Sequence, residues 1–423
     1  MLERPISGLS IEPQHGDFAK LYDAGMPQVV WTKLVADLET PVAAYLKIAH
    51  GQPMSFLMES VEGGEARGRY SMIGLKPDII WRARGENAEI NRTPHRNFNA
   101  FRKEKRPTLA SLRELLAESR IDLPAELPPM AAGIFGFMGY DTVRLVERLP
   151  NMPTDVLGVP DAVLMRPTVI IIFDALKDEM TLVTPVRPSG RQSADTAYRS
   201  ARKRLSEVAD SLATLPPPST STGLADLGTD EPVSNTSPGE YMAMVERAKD
   251  YIRAGDAFQI VLSQRFSAPF TLPPFALYRA LRRTNPSPFL FFIDLGDFSL
   301  VGSSPEILVR SREGKVTIRP IAGTARRGAT REEDQLLGEQ LLADPKERAE
   351  HLMLLDLGRN DVGRVAEIGS VEVTESFTIE RYSHVMHIVS NVVGDQRHDR
   401  DAIDALMAGF PAGTVSGAPK FRA

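Results

Sequence analysis

Asp344-Pro345-Lys346-Glu347-Arg348-Ala349-Glu350-His351-Leu352-Met353-Leu354-Leu355-Asp356-Leu357-Gly358-Arg359-Asn360-Asp361 is the stretch on which the reading of this chain turns. Asp344 suits an N-cap, its carboxylate accepting from the first N–H groups, and Pro345 suits the first helical turn, where its missing N–H costs nothing. The spacing predicts a helix from Pro345 to about Leu357. Glu347 and Glu350 then share one face, a turn apart. Two carboxylates so placed offer oxygen ligands to a hard cation such as Mg2+, which commonly takes one or two protein carboxylates and fills its shell with water and an anionic substrate. Spacing alone leaves open that they are solvated surface charges or partners of nearby arginines.

Outward from this helix, Arg331 to Leu342 has helical character. The runs Phe258 to Phe266, Phe289 to Asp294, Ser299 to Arg310 and Lys315 to Pro320 read as strands separated by Gly, Pro and Asn turns. Ser237-Pro238-Gly239-Glu240 has the form of a capping box and predicts a helix to about Ala254. Between Leu215 and Pro238 lies Pro216-Pro217-Pro218-Ser219-Thr220-Ser221-Thr222-Gly223, which sustains neither helix nor core. It divides the chain into an N-terminal α+β domain (1–214), a linker (215–236) and a second domain (237–423), with a loop insertion inside one domain as the alternative. The first domain alternates β-rich runs, Ser71 to Arg84 and Thr168 to Pro185, with helical stretches at Leu109 to Ser119 and Asp195 to Leu212. The fold class expected is α+β.

Composition narrows the function. The 423 residues are 42% hydrophobic and 25% charged, the formal net charge is -5, and there is no cysteine. No basic excess favours nucleic acid or an anionic membrane, and no thiol is available as nucleophile or metal ligand. Met1 to Ser7 does not read as a secretory signal, and apolar runs such as Val169-Ile170-Ile171-Ile172-Phe173 are far short of the about 20 residues that span a bilayer. A soluble cytoplasmic protein is expected.

Residues 347 to 361 closely resemble a signature of the chorismate-utilising enzymes. Matching blocks occur in the family's order at Gly255-Asp256-Ala257-Phe258-Gln259-Ile260-Val261-Leu262-Ser263-Gln264, Gly302-Ser303-Ser304-Pro305-Glu306, Pro320-Ile321-Ala322-Gly323-Thr324, Arg381-Tyr382-Ser383-His384-Val385-Met386-His387 and Pro411-Ala412-Gly413-Thr414-Val415-Ser416-Gly417-Ala418-Pro419-Lys420. Looser matches cover residues 57 to 74 and 131 to 141. The resemblance is strongest to component I of anthranilate synthase, and it implies a β-sandwich-like core of antiparallel sheets flanked by helices.

What the resemblance implies for chemistry can be stated residue by residue. Glu306 would be the general acid that protonates the departing C4 hydroxyl of chorismate, a poor leaving group without a proton. Without the resemblance, Glu306 reads as a strand-end glutamate paired with an arginine such as Arg310. Gln259 stands where water-activating relatives carry lysine, and Ala322 stands where aminodeoxychorismate synthases carry a nucleophilic lysine. Direct attack of ammonia on C2 is therefore implied, followed by loss of pyruvate to leave anthranilate, which makes the enzyme a carbon–oxygen lyase. His387 would assist proton handling, with His384 as a competitor, while Gly323, Thr324 and Thr414 would contact substrate. Glu347 and Glu350 would hold Mg2+. A separate glutamine amidotransferase subunit, component II, would supply ammonia.

Leu57-Met58-Glu59-Ser60, with Asn285-Pro286-Ser287-Pro288-Phe289-Leu290, resembles the family's tryptophan-feedback elements. Glu59, Ser60, Asn285, Pro286, Pro288 and Leu290 would hold the inhibitor, the alternative being an interface with no ligand. Members of the family continue beyond Gly417-Ala418-Pro419-Lys420. The resemblance thus implies that a chain ending at Ala423 lacks a second pair of metal carboxylates, a substrate-binding arginine and a glycine-rich loop, and is catalytically crippled. Two further readings stay open: component I of aminodeoxychorismate synthase, and a non-catalytic tryptophan-binding scaffold.

Overall fold

The computed structural model of the chain describes residues 9–62, 66–190, 192–216, 231–382 and 384–423. Residues 217–230, most of the expected linker, and the N-terminal residues 1–8 lie outside the described residues. Two antiparallel sheets, one of eleven strands and one of five, carry the fold, with helices packed against them. Among the described residues no helix is long and apolar enough to cross a membrane.

The larger sheet runs in the order Ile11–Glu12, Gln28–Val35, Glu179–Val186, Ala162–Asp174, Ala66–Arg84, Ser55–Glu62, Phe289–Asp294 and Ser299–Ser304. The apolar run at residues 169–173 lies within Ala162–Asp174 and is buried on both faces. Val169, Ile171 and Phe173 meet Phe18, Tyr45 and Tyr198 in one cluster, while Ile170 and Ile172 pack with Leu127 and Val183 in another. That double burial explains why the run does not alternate. The expected β run from Thr168 to Pro185 divides at the turn before Glu179, where Asp178 has φ 47°.

Residues from both sides of the linker share this sheet. Phe289–Asp294 pairs with Ser55–Glu62 in a register that sets Leu290 opposite Glu59 and Phe292 opposite Leu57. Phe292 is 3% exposed and meets Tyr45, Phe275 and Tyr278 edge-on or tilted at ring separations of 5.6, 5.1 and 6.1 Å. Hydrogen bonding and aromatic packing therefore act together at this seam.

The smaller sheet is organised by Val385–Asp395. Lys315–Ile318 and Ile321–Arg326 pair in succession along one edge of it, and Glu372–Arg381 pairs along the other. Period-two alternation decides what each residue of that strand meets. Met386 and Ile388 cluster with Leu341 of the helix Arg331–Ala343, and Val392 clusters with Leu355 and Val362 of the helix Pro345–Gly363. His387, between Met386 and Ile388, projects to the opposite face and is half-buried. Pro345–Gly363 extends two turns past the expected end, and Asp344 caps it by accepting from the N–H groups of Lys346 and Glu347 at 2.8 and 3.1 Å.

The expected strand from Phe258 to Phe266 is realised only at its ends. Gln259–Ile260 pairs with Gly417–Ala418, and Phe266–Ser267 pairs with Val233–Ser234. Among the described residues no strand runs alongside residues 261–265 to continue the ladder. Truncating Phe292 to alanine at the shared seam is expected to cost about 3–5 kcal/mol of stability, because the aromatic cage around it collapses only in part. Urea unfolding measures this, and a loss below about 1 kcal/mol would mean that the seam is not a packed core.

Candidate active site

Glu306 follows the end of Ser299–Ser304, where its N–H donates to Ser304 Oγ at 3.3 Å. Its carboxylate Oε2 accepts from Thr414 Oγ1 at 3.1 Å. Burial pushes the carboxyl up to about 7, and the Thr414 hydroxyl, which favours the charged form, pulls it down only in part. Among the described residues Glu306 has no ion pair, and Arg310 is exposed. A carboxyl of this kind holds a proton near neutrality and can release it to a leaving group.

His387 is oriented by a bulge. The register of Ile321–Arg326 against Val385–Asp395 shifts between Ala322 and Thr324, and Gly323 takes φ +65° there. The His387 Nδ1 lies 2.8 Å from the Gly323 carbonyl and 3.2 Å from Thr324 Oγ1. A carbonyl only accepts, so Nδ1 carries the proton and Nε2 keeps a free lone pair. Tyr382 packs edge-on against the imidazole at 5.4 Å and donates to Glu380 Oε2 at 2.8 Å. Its phenol is pushed up by burial and by the bond to Glu380. His384 turns elsewhere: its Nε2 meets the carbonyl of Thr284 at 3.0 Å.

The signature helix brings up the remaining groups. Glu347 and Glu350 are both half-buried. A Cβ on Gly323 would stand 3.2 Å from Glu347 Oε2, so the left-handed glycine also admits that carboxylate. Glu350 Oε1 accepts from Gln259 Nε2 at 3.3 Å, while the buried Gln259 Oε1 has no partner among the described residues. Gln259 and Glu350 line a cavity of about 760 Å³ together with Met353, Asp356, Leu357 and Asn360. Among the described residues no three His, Asp or Glu side chains converge into a metal cage. Two half-buried carboxylates one turn apart nonetheless fit the short protein ligand set that Mg2+ takes.

These contacts form a chain. Glu306 meets Thr414, and three residues on from Thr414 the Gly417–Ala418 strand pairs with Gln259–Ile260. Gln259 meets Glu350, Glu347 lies against Gly323, and Gly323 receives His387, whose ring packs on Tyr382. The residues singled out in the sequence for catalysis, substrate and metal are thus linked through neighbouring contacts, and of them Gln259 and Glu350 line the cavity described above. Tyr382 stands within a matching motif, but nothing in the sequence marks its side chain as the neighbour of the His387 imidazole.

Of the residues read as an inhibitor site, Glu59, Ser60 and Leu290 lie on paired strands of the larger sheet, and Asn285, Pro286 and Pro288 lie in the segment that leads from the helix Pro274–Thr284 into it. Glu59 is buried, and both its oxygens are taken: Arg282 Nε donates to Oε2 at 2.6 Å, Arg282 Nη2 to Oε1 at 2.9 Å, and the Tyr278 hydroxyl also donates to Oε2. Tyr278 and Arg282 stand four residues apart on the helix Pro274–Thr284, a spacing that could have flagged them as one face. Ser60, Pro286 and Pro288 are half-buried and Asn285 is exposed, its carbonyl accepting from Ser303 Oγ at 2.7 Å. Leu290 is 1% exposed within the core cluster that contains Tyr278 and Phe292.

Comparison with known proteins adds to this geometry. The family of chorismate binding enzymes matches residues 57–423. Anthranilate synthase component 1 of Cereibacter sphaeroides is 56% identical over 407 residues, 96% of this chain and 81% of that protein. Its counterpart in Synechocystis sp. is 45% identical over 427 residues, 98% of this chain and 83% of that protein. The crystal structure of anthranilate synthase component I from Streptococcus pneumoniae TIGR4 superposes with a TM-score of 0.71 at 36% identity, covering 92% of this chain and 81% of that one. The chain belongs to the anthranilate synthase component 1 family of chorismate binding enzymes.

Proposed function

We propose that this protein is a lyase that makes anthranilate and pyruvate from chorismate and ammonia. The observation that carries the reading is Glu306, a carboxyl pushed up to about 7 by burial and touched by one hydroxyl. Ammonia adds to C2, the C4 hydroxyl departs as water with the proton of Glu306, and the enolpyruvyl group then leaves as pyruvate as the ring loses its C2 proton. The free Nε2 of His387 suits it to accept that proton. Thr324 and Thr414 offer hydroxyls to the substrate.

Gln259 and Ala322 support ammonia as the nucleophile. An amide does not deprotonate water at neutral pH, and the buried Ala322 has no nucleophilic atom, which disfavours aminodeoxychorismate synthesis through an enzyme-bound intermediate. Glu347 and Glu350 are the residues that would hold Mg2+, which when bound offsets the negative charge of the substrate carboxylates. With no cysteine in the chain, a thiol-dependent glutaminase activity is not its own, and a glutamine amidotransferase partner in the cytoplasm supplies the ammonia. Tryptophan inhibits by binding beside Ser60, Asn285, Pro286 and Pro288, with Glu59 acting through the helix it holds.

Glu306→Gln keeps the shape of the side chain and removes its proton, so anthranilate fluorescence should form about 10²–10⁴-fold more slowly. Undiminished turnover would rule out the acid role, and accumulation of aminodeoxychorismate would overturn the product assignment. Because the protonated carboxyl is the working form, turnover should fall as pH rises through about 7. Thr414→Val removes the bond that favours the carboxylate, so this fall should move to higher pH, and a shift to lower pH contradicts the assignment. Glu59→Gln weakens the hold on Arg282 and should raise the tryptophan concentration needed for half-inhibition about tenfold. Unchanged inhibition would remove Glu59 from the feedback element.

A further inference from the structure

The Gly417-Ala418-Pro419-Lys420 motif ends in a buried charge that the chemistry above does not use. Lys420 is 7% exposed and Asp361 4%. Lys420 Nζ donates to Asp361 Oδ2 at 2.7 Å and to the carbonyl of Ala408 at 3.0 Å. Burial pushes the Asp361 carboxyl up and the Lys420 ammonium down, while each opposes the shift of the other. The second Asp361 oxygen is buried with no partner among the described residues. A pair like this is often no more stabilising than apolar residues of the same volume, whereas it fixes position strongly.

Its position matters because of what lies between two anchors on the signature helix. Gly413 rests on that helix so closely that a Cβ would stand 2.3 Å from Leu357 Cδ2, and Lys420 grips Asp361 one turn further on. Between the anchors, Thr414 donates to Glu306, the Ser416 carbonyl accepts from Val261 N–H at 3.0 Å, and Gly417–Ala418 pairs with Gln259–Ile260. Residues 413–420 are thus a strap pinned at both ends to the element that bears Glu347 and Glu350. We infer that Lys420 and Asp361 are a positioning pair, which clamps this strap so that the Thr414 hydroxyl stays on Glu306 and the Gln259 amide stays on Glu350. The inference rests on Glu306 being the acid of the proposed reaction, but its test reads the carboxyl directly.

The test is a 13C NMR titration of the full chain labelled at glutamate carboxyls, with the Glu306 signal assigned through Glu306→Gln. Lys420→Met should move the Glu306 midpoint to higher pH by as much as Thr414→Val does, and combining the two should add nothing, since both remove one hydrogen bond. An unchanged midpoint in Lys420→Met, or shifts that add, overturns the clamp. Should the single variant fail to fold, Asp361→Leu with Lys420→Met removes both charges together. A wild-type midpoint in that pair means that the two residues serve stability alone, which also overturns the inference, while a raised midpoint supports it. Absence of turnover with chorismate and ammonia would count against the proposed reaction only, because the titration needs no catalysis.

Discussion

The site depends on a carboxyl taken out of water and given one hydroxyl in return. Desolvation disfavours the charged form of Glu306, and a single bond from Thr414 does not offset it, so the proton stays on to about neutrality. An arginine within reach would have reversed the balance and left a permanent carboxylate. That happens at Glu59, where Arg282 engages both oxygens. The two glutamates differ in their neighbours, and so one suits proton delivery while the other suits holding a helix in place.

The surrounding architecture serves this imbalance. The bulge at Gly323 lets Glu347 approach and presents a carbonyl that accepts from His387 Nδ1, so one left-handed residue orients an imidazole and admits a carboxylate. The strap at residues 413–420 carries the hydroxyl that tempers Glu306 and the short strand that seats Gln259. Burying polar groups so densely costs free energy, visible in Gln259 Oε1 and Asp361 Oδ1, which have no partner among the described residues, and packing elsewhere must supply it.

What was legible in the sequence was local. The N-caps at Asp344 and Ser237 are signalled within four residues, because a cap is a contact between near neighbours. The apolar run at residues 169–173 was legible as part of a β-rich stretch, whereas its burial on both faces, which accounts for its failure to alternate, depends on what packs against it. Motif order brought to notice residues that the structure links by contacts, but not all of their partners. Arg282 stands 223 residues from Glu59, and Lys420 stands 59 from Asp361, so no periodicity connects either pair. The strand expected from Phe258 to Phe266 failed for a related reason: propensity describes one chain segment, whereas a ladder needs a neighbour, and among the described residues only Gly417–Ala418 and Val233–Ser234 supply one.

The pairing of Ser55–Glu62 with Phe289–Asp294 also bears on how the polypeptide is made. During synthesis the earlier strand emerges long before its neighbour, and until residues 289–294 leave the ribosome it has an open, hydrogen-bond-hungry margin that other chains can join. Contacts across so great a sequence separation also form slowly. The newborn chain is thus most exposed to aggregation during the interval in which its middle is being translated, and chaperone protection would matter most then.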